Sequence, residues 1–156
     1  MPPIRYAVRV VDGLQPSSRR AIAFLECASD AAIEAREIFD GLSTTKEREV
    51  RSRFDHWISN GTNDDWFHGF PNDREHKDCF TFKWKENRQC HRFYGFLSNA
   101  KPIEEPRFQA CVLAYHAIKN TWQTDYTILD RCIRLFQNPD VIRAIITAFQ
   151  GEETER

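Results

Sequence analysis

Glycine is scarce in this chain, at 6 of 156 residues, and no glycine-rich loop that could cradle a phosphate is present. That argues against a P-loop or a Rossmann turn. Long apolar runs are lacking as well. ACVLA at 110–114 is among the longest, far short of the roughly 20 residues a membrane helix requires, so no span and no membrane partner are expected. The opening MPPIRYAVRV has neither the apolar core nor the cleavage site of a signal peptide. Five cysteines (Cys27, Cys79, Cys90, Cys111 and Cys132) make an odd set without tight pairs, and a reduced, cytoplasmic protein is expected. Repeats, low-complexity tracts and flexible linkers are missing too. Residues 1–150 are therefore expected to form one domain, with 151–156 as a polar tail. Net charge gives no signal either: 22 Lys and Arg against 23 Asp and Glu leave −1, so the whole-chain balance does not announce a nucleic-acid partner.

What is there is local. From Arg74 to Lys119 nine basic residues face five acidic ones, a net +4 in the middle third. Within it, CFTFKWKENRQCHRFYGF at 79–96 alternates large apolar side chains with threonine, lysine and arginine. Alternation of that kind is the period of a half-buried strand. Phe80, Phe82 and Trp84 then share one face and Cys79, Thr81, Lys83 and Lys85 the other. If ENRQ is a four-residue hairpin loop, Lys85 pairs with Cys90, Lys83 with Arg92 and Thr81 with Tyr94. A three-residue loop would turn the second strand over, because a slip of one residue moves every side chain to the opposite face.

Around this hairpin the pattern predicts a strand over 4–11, a strand at AIAFLEC, and a helix from Ser29 and Asp30 to Gly41. A second helix follows, with Thr44 and Glu47 as a capping box and Val50, Phe54, Trp57 and Ile58 at helical spacing. Residues 61–77 read as a long loop. Three strands come next, about 78–85, 90–97 and 108–118, the last apolar enough to be covered on both sides. One helix starts near Thr124, and another at NPD, where Asn138 caps and Pro139 takes the first position. The fold class expected is α+β, a small antiparallel sheet with helices packed on one face, plus C-terminal helices, which leaves the other face for function or water.

Directly paired like charges such as Lys83 and Arg92 are normally destabilising, and holding them together makes most sense if an anion binds there, the alternative being an ordinary solvated sheet face. Other constellations are weaker. His76, Cys79, Cys90 and His91 offer zinc-binding residue types, but Cys90 and His91 are adjacent in a strand and point to opposite faces, so no metal is expected. Cysteines 111 and 132 read as small core residues.

The order of segments from AIAFLECASDAAIEAREIFDGL through KEREVRSRFDHWISNG, WFHGF, CFTFKWKENRQCHRFYGFL and ACVLAYHAIKN to TDYTILDRCIRLF resembles the RelE/ParE superfamily of bacterial toxin components, including HigB and phage-encoded relatives. The resemblance covers about residues 21–137. It implies a RelE-like sheet with two helices on one side and, for the ribonuclease members, cleavage of messenger RNA in the ribosomal A site. Carried onto this sequence, it implies Lys83, Lys85, Arg92, Lys119 and Tyr126 as catalytic candidates and Tyr94, Arg88 and His116 as substrate-contacting ones, with His91 a weaker candidate. The chemistry needs a base for the 2′-hydroxyl proton, cations for the pentacovalent phosphate and an acid for the leaving oxygen. Neighbouring cations depress a lysine's pKa, so Lys83 or Lys85 suits the base, with Tyr126 as an alternative, while Arg92 stays charged. Trp66, Trp84, Trp122 and Tyr94 are aromatic candidates for stacking on bases, with Trp84 assigned to the core by parity. The expected partners are a cognate antitoxin, mRNA and the ribosome, with a homodimer as a further expectation, and no cofactor. ParE-type relatives bind gyrase without cutting RNA, so a binding protein is the alternative. The chain also departs from the ribonuclease members in its near-neutral charge, its first strand and its last helix.

Overall fold

The computed structural model describes residues 5–15, 17, 19–119 and 125–154. Among these residues ten elements follow in chain order: β1 (Ala7–Val10), β2 (Arg20–Glu26), α1 (Ala35–Asp40), α2 (Thr44–Ile58), β3 (Phe67–Gly69), β4 (Cys79–Glu86), β5 (Gln89–Ser98), β6 (Gln109–Lys119), α3 (Tyr126–Gln137) and α4 (Pro139–Thr154). The strands form one sheet in the order β1-β2-β6-β5-β4-β3. All neighbours are antiparallel except β2 and β6, which run parallel with Arg20 opposite Gln109. The fold is α+β, but the sheet is six-stranded and mixed rather than small and antiparallel. A parallel neighbour for β6 is available because α1, α2 and the hairpin form a crossover long enough to return the chain in the same direction.

The helices do not share one face, a second correction. One apolar cluster joins Phe39, Val50, Phe54, Trp57 and Ile58 of α1 and α2 to Phe24, Phe80, Phe82, Trp84, Phe93 and Leu113 of the sheet. A separate cluster on the opposite face joins Leu129, Cys132, Leu135, Val141, Ile145 and Phe149 of α3 and α4 to Leu25, Cys79, Tyr94, Phe96 and Val112. Both terminal helices carry apolar faces too wide to leave in water. Only the second sheet face was free to cover them.

Local chemistry explains the boundaries. Asp30 serves a turn, accepting from Ala32 N at 3.1 Å, and α1 starts only at Ala35 after Glu34 N donates to Ala114 O of β6. Helix α2 is capped one residue earlier than expected, by Ser43, whose Oγ accepts from Lys46 N at 3.2 Å. Within 61–77, expected as loop, Phe67–Gly69 adds to the edge of β4. The β5–β6 ladder slips between Tyr94, opposite Tyr115, and Gly95, opposite Leu113. Gly95 is required there: a Cβ on it would sit 2.0 Å from Val112 O. Among the described residues no helix is long and apolar enough to cross a membrane.

Candidate functional site: a cationic strand face

The turn between β4 and β5 is two residues long. Asn87 and Arg88 both have positive φ, 52° and 65°, the conformation of a tight I′ hairpin. Glu86 pairs with Gln89, which shortens the expected four-residue loop by two and preserves its parity. Lys83 therefore faces Arg92, Lys85 faces Cys90 and Thr81 faces Tyr94. The outer strands extend these pairs into three rungs. His68 of β3 lies opposite Thr81, which pairs with Tyr94 and then Tyr115. Lys83 and Arg92 lead to Ala117, and Lys85 and Cys90 lead to Lys119. The site sits at the end of the sheet where α3 begins, on the face α3 and α4 cover further along.

Its electrostatics are dominated by half-burial. Lys83 donates to Asp64 O at 2.6 Å, and burial followed by the charge of Arg92 lowers its pKa. His68 is pushed down to about 4, first by burial and then by Lys83 and Arg92, so it is neutral at pH 7. Tyr94 is 0 % exposed, and burial raises its hydroxyl's pKa against the pull of Arg92. That hydroxyl and Arg92 Nε are both buried and lack a well-aligned hydrogen bond among the described residues, yet the guanidinium lies close enough to the hydroxyl to act on it by hydrogen bonding as well as by charge. Lys119 is held at 3.3 Å by Asp125, which also caps α3 by accepting from Thr127 N at 3.1 Å. The edge of β4 beyond β3 is guarded by α2: Lys46 donates to Lys85 O at 2.7 Å, and Arg53 donates to Lys83 O.

No protein-family model, curated protein or solved structure matches the chain.

The face gathers Lys83, Arg92, Tyr94, Lys85 and Lys119, but not every expected residue. Tyr126 is 57 % exposed and its ring packs 5.6 Å from that of His76, with no contact to Lys83 or Arg92. Its position at the first turn of α3 turns it toward the 73–76 segment. His116 lies on the other side of the sheet, because it pairs with Phe93 and not with Arg92. There it meets His91, Nε2 to Nδ1 at 2.9 Å, beside the rings of Trp84 and Phe93. Burial, then His91, pushes His116 down to about 4. Arg88 occupies the exposed hairpin tip. The ring of Tyr94 is too deeply buried to stack on a base, and its hydroxyl is buried with it. Trp84 is core at 1 % exposure, as parity predicted. Trp122 lies outside the described residues.

His68 and Asp125 are the residues that sequence reasoning missed. A three-residue strand is too short to show a period, and nothing local marked Asp125 as the partner of Lys119. Elsewhere, His76 is clamped between Asp73 Oδ2 at 2.8 Å and Asp130 Oδ1 at 2.7 Å. The bond to Asp130 is the largest influence raising its pKa. Cys90 and His91 do point to opposite faces. Among the described residues no three His, Cys, Asp or Glu side chains converge to hold a metal ion.

Proposed function

We propose that this protein is the toxin of a toxin–antitoxin module, of the RelE/HigB kind, and that it cuts messenger RNA on the ribosome. The observation that carries the reading is the direct pairing of Lys83 with Arg92 on a half-buried strand face. A phosphodiester supplies the negative charge that two paired cations need and acceptor oxygens for the ammonium and the guanidinium. In the reaction a base takes the 2′-hydroxyl proton, O2′ attacks phosphorus and the P–O5′ bond breaks. A 2′,3′-cyclic phosphate and a 5′-hydroxyl result. Lys83 suits the base better than exposed Lys85, because burial and Arg92 favour its neutral form. Arg92 stays charged and steadies the pentacovalent phosphate, a task in which one well-aimed donor contributes about 3 to 4 kcal/mol. Lys119, on the neighbouring rung, has its charge offset by Asp125.

Expression of the wild type is expected to arrest growth and cleave messages, and Lys83→Ala with Arg92→Ala to do neither. Harmless expression, with no RNA cleavage even when ribosomes are present, would sink the enzyme reading. The rival reading is a RelE/ParE-like protein without catalysis that binds a partner such as gyrase or a phage or host regulator. It is favoured by the net charge of −1 and by the packing of the exposed Tyr126 ring on His76.

A further inference from the structure

His68 is the one imidazole on the cationic face among the described residues, and no role falls to it in the chemistry above. Strand β3 sets it opposite Thr81, one rung from Lys83 and Arg92. Its Nδ1 lies 3.5 Å from Thr81 Oγ1, and the ring of Phe70, edge-on at 4.9 Å between centroids, fixes its plane. Its Nε2 makes no hydrogen bond among the described residues. The charged groups that face it are Lys83 from β4, Arg92 from β5 and Asp64 from the segment before β3, of which the carboxylate has the smallest effect. Burial and two cations keep the imidazole neutral.

We propose that His68 is a catalytic residue, taking up a proton when a phosphodiester docks on Lys83 and Arg92 and giving that proton to the leaving 5′ oxygen. The proposal rests on the ribonuclease reading and names the acid which that reading leaves unassigned. Docking brings a negative charge among the groups that suppress the imidazolium. A unit charge about 6 Å away at an effective dielectric near 20 raises a pKa by about two units, from about 4 to about 6, so that roughly a tenth of the imidazole carries the proton at pH 7. In the step itself O2′ loses its proton to Lys83 and bonds to phosphorus. The P–O5′ bond breaks, its electrons stay on O5′, and the His68 proton converts that oxygen to a hydroxyl. His68 ends neutral and Lys83 protonated, and exchange with water restores both.

The imidazole of His68 is followed by NMR in the full chain, alone and saturated with an oligonucleotide carrying 2′-deoxyriboses, which cannot be cut. Its titration midpoint is expected near 4 in the free protein and about two units higher in the complex. A midpoint that stays put while the oligonucleotide binds overturns the proposal. The second arm uses RNA whose scissile 5′ oxygen is replaced by sulfur, a leaving group that needs no acid, in the presence of ribosomes. His68→Gln is expected to bind the uncleavable oligonucleotide as the wild type does and to cut ordinary RNA about 10²- to 10⁴-fold more slowly. It should cut the sulfur-substituted RNA at nearly the wild-type rate. Equal losses on both substrates overturn the role of acid, and the wild-type titration stands apart from any folding defect in the variant. A wild type that cuts neither RNA refutes the ribonuclease reading, and this role with it.

Discussion

Replacing Lys83 by methionine should make the protein more stable and less able to bind an anion. The side chain keeps an unbranched apolar stem one atom shorter and loses its charge. Directly paired residues have Cβ atoms roughly 5 Å apart. At that separation two unit charges repel by about 1 to 3 kcal/mol, depending on whether the effective dielectric is nearer 80 or 20. The pair is only half-buried and water screens it, so the lower end applies. Burial adds to the penalty on the ammonium, while the attraction of Asp65 and Asp64 ranks below both burial and Arg92. The variant also gives up the bond from Nζ to Asp64 O. Asp64 is exposed, so water replaces that donor at little net cost. The balance is a gain of about 1 kcal/mol, or roughly 2 to 4 °C in Tm for a chain of this size. Urea and thermal unfolding at pH 7 measure it. Inorganic phosphate should raise the wild-type midpoint and leave that of Lys83→Met in place, since only a ligand bound to the folded state shifts unfolding. A variant less stable than the wild type, or equally stabilised by phosphate, would refute the view that Lys83 and Arg92 are held in mutual repulsion for an anion.

Two further perturbations probe the frame around the site. His76 has a raised pKa because Asp130 and Asp73 both accept from its ring, so its contribution is fully present below the ordinary histidine value near 6.5 and is lost as pH rises through the raised one. The difference in urea midpoint between the wild type and His76→Gln should accordingly be larger at pH 6 than at pH 9, and a difference independent of pH would remove the imidazolium from the clamp. Gly95→Ala would place a methyl 2.0 Å from Val112 O and 2.8 Å from Leu113 Cα, both backbone atoms that cannot swing aside. A loss on the order of 3 kcal/mol or more is expected, at the severe end for overpacking. Denaturant unfolding checks it, and a loss under 1 kcal/mol would mean that the β5–β6 register can shift.

The hairpin was legible because its information is local. Side chains alternate with period two, and any even-numbered turn puts Lys83 against Arg92, so the two-residue turn at Asn87 and Arg88 gave the same pairing as the expected four-residue loop. Segments with long periods, α2 and α4, were equally readable, and so was the burial of β6 on both sides. Element ends were less so. Ser43 and Thr44 are both good caps, and only the geometry of the preceding turn chose between them. Strand β3 was invisible: three residues show no period, and His68 acquires meaning only from Thr81 across the ladder.

By itself the sequence determined the alternation, the turn parity and hence the cationic pair, all consequences of bond geometry within about 20 residues. Tertiary structure alone decided which sheet face each helix covers. An amphipathic helix carries an apolar stripe but no instruction about its partner, and α1 and α2 had already filled one side. It also decided that β6 slips past Gly95, so that Ala114 and Tyr115 both join the α3 and α4 face. Finally, it set how far Lys83 and His68 depart from their ordinary pKa values, because desolvation and Coulomb forces depend on neighbours brought from the segment before β3, from β4 and from β5.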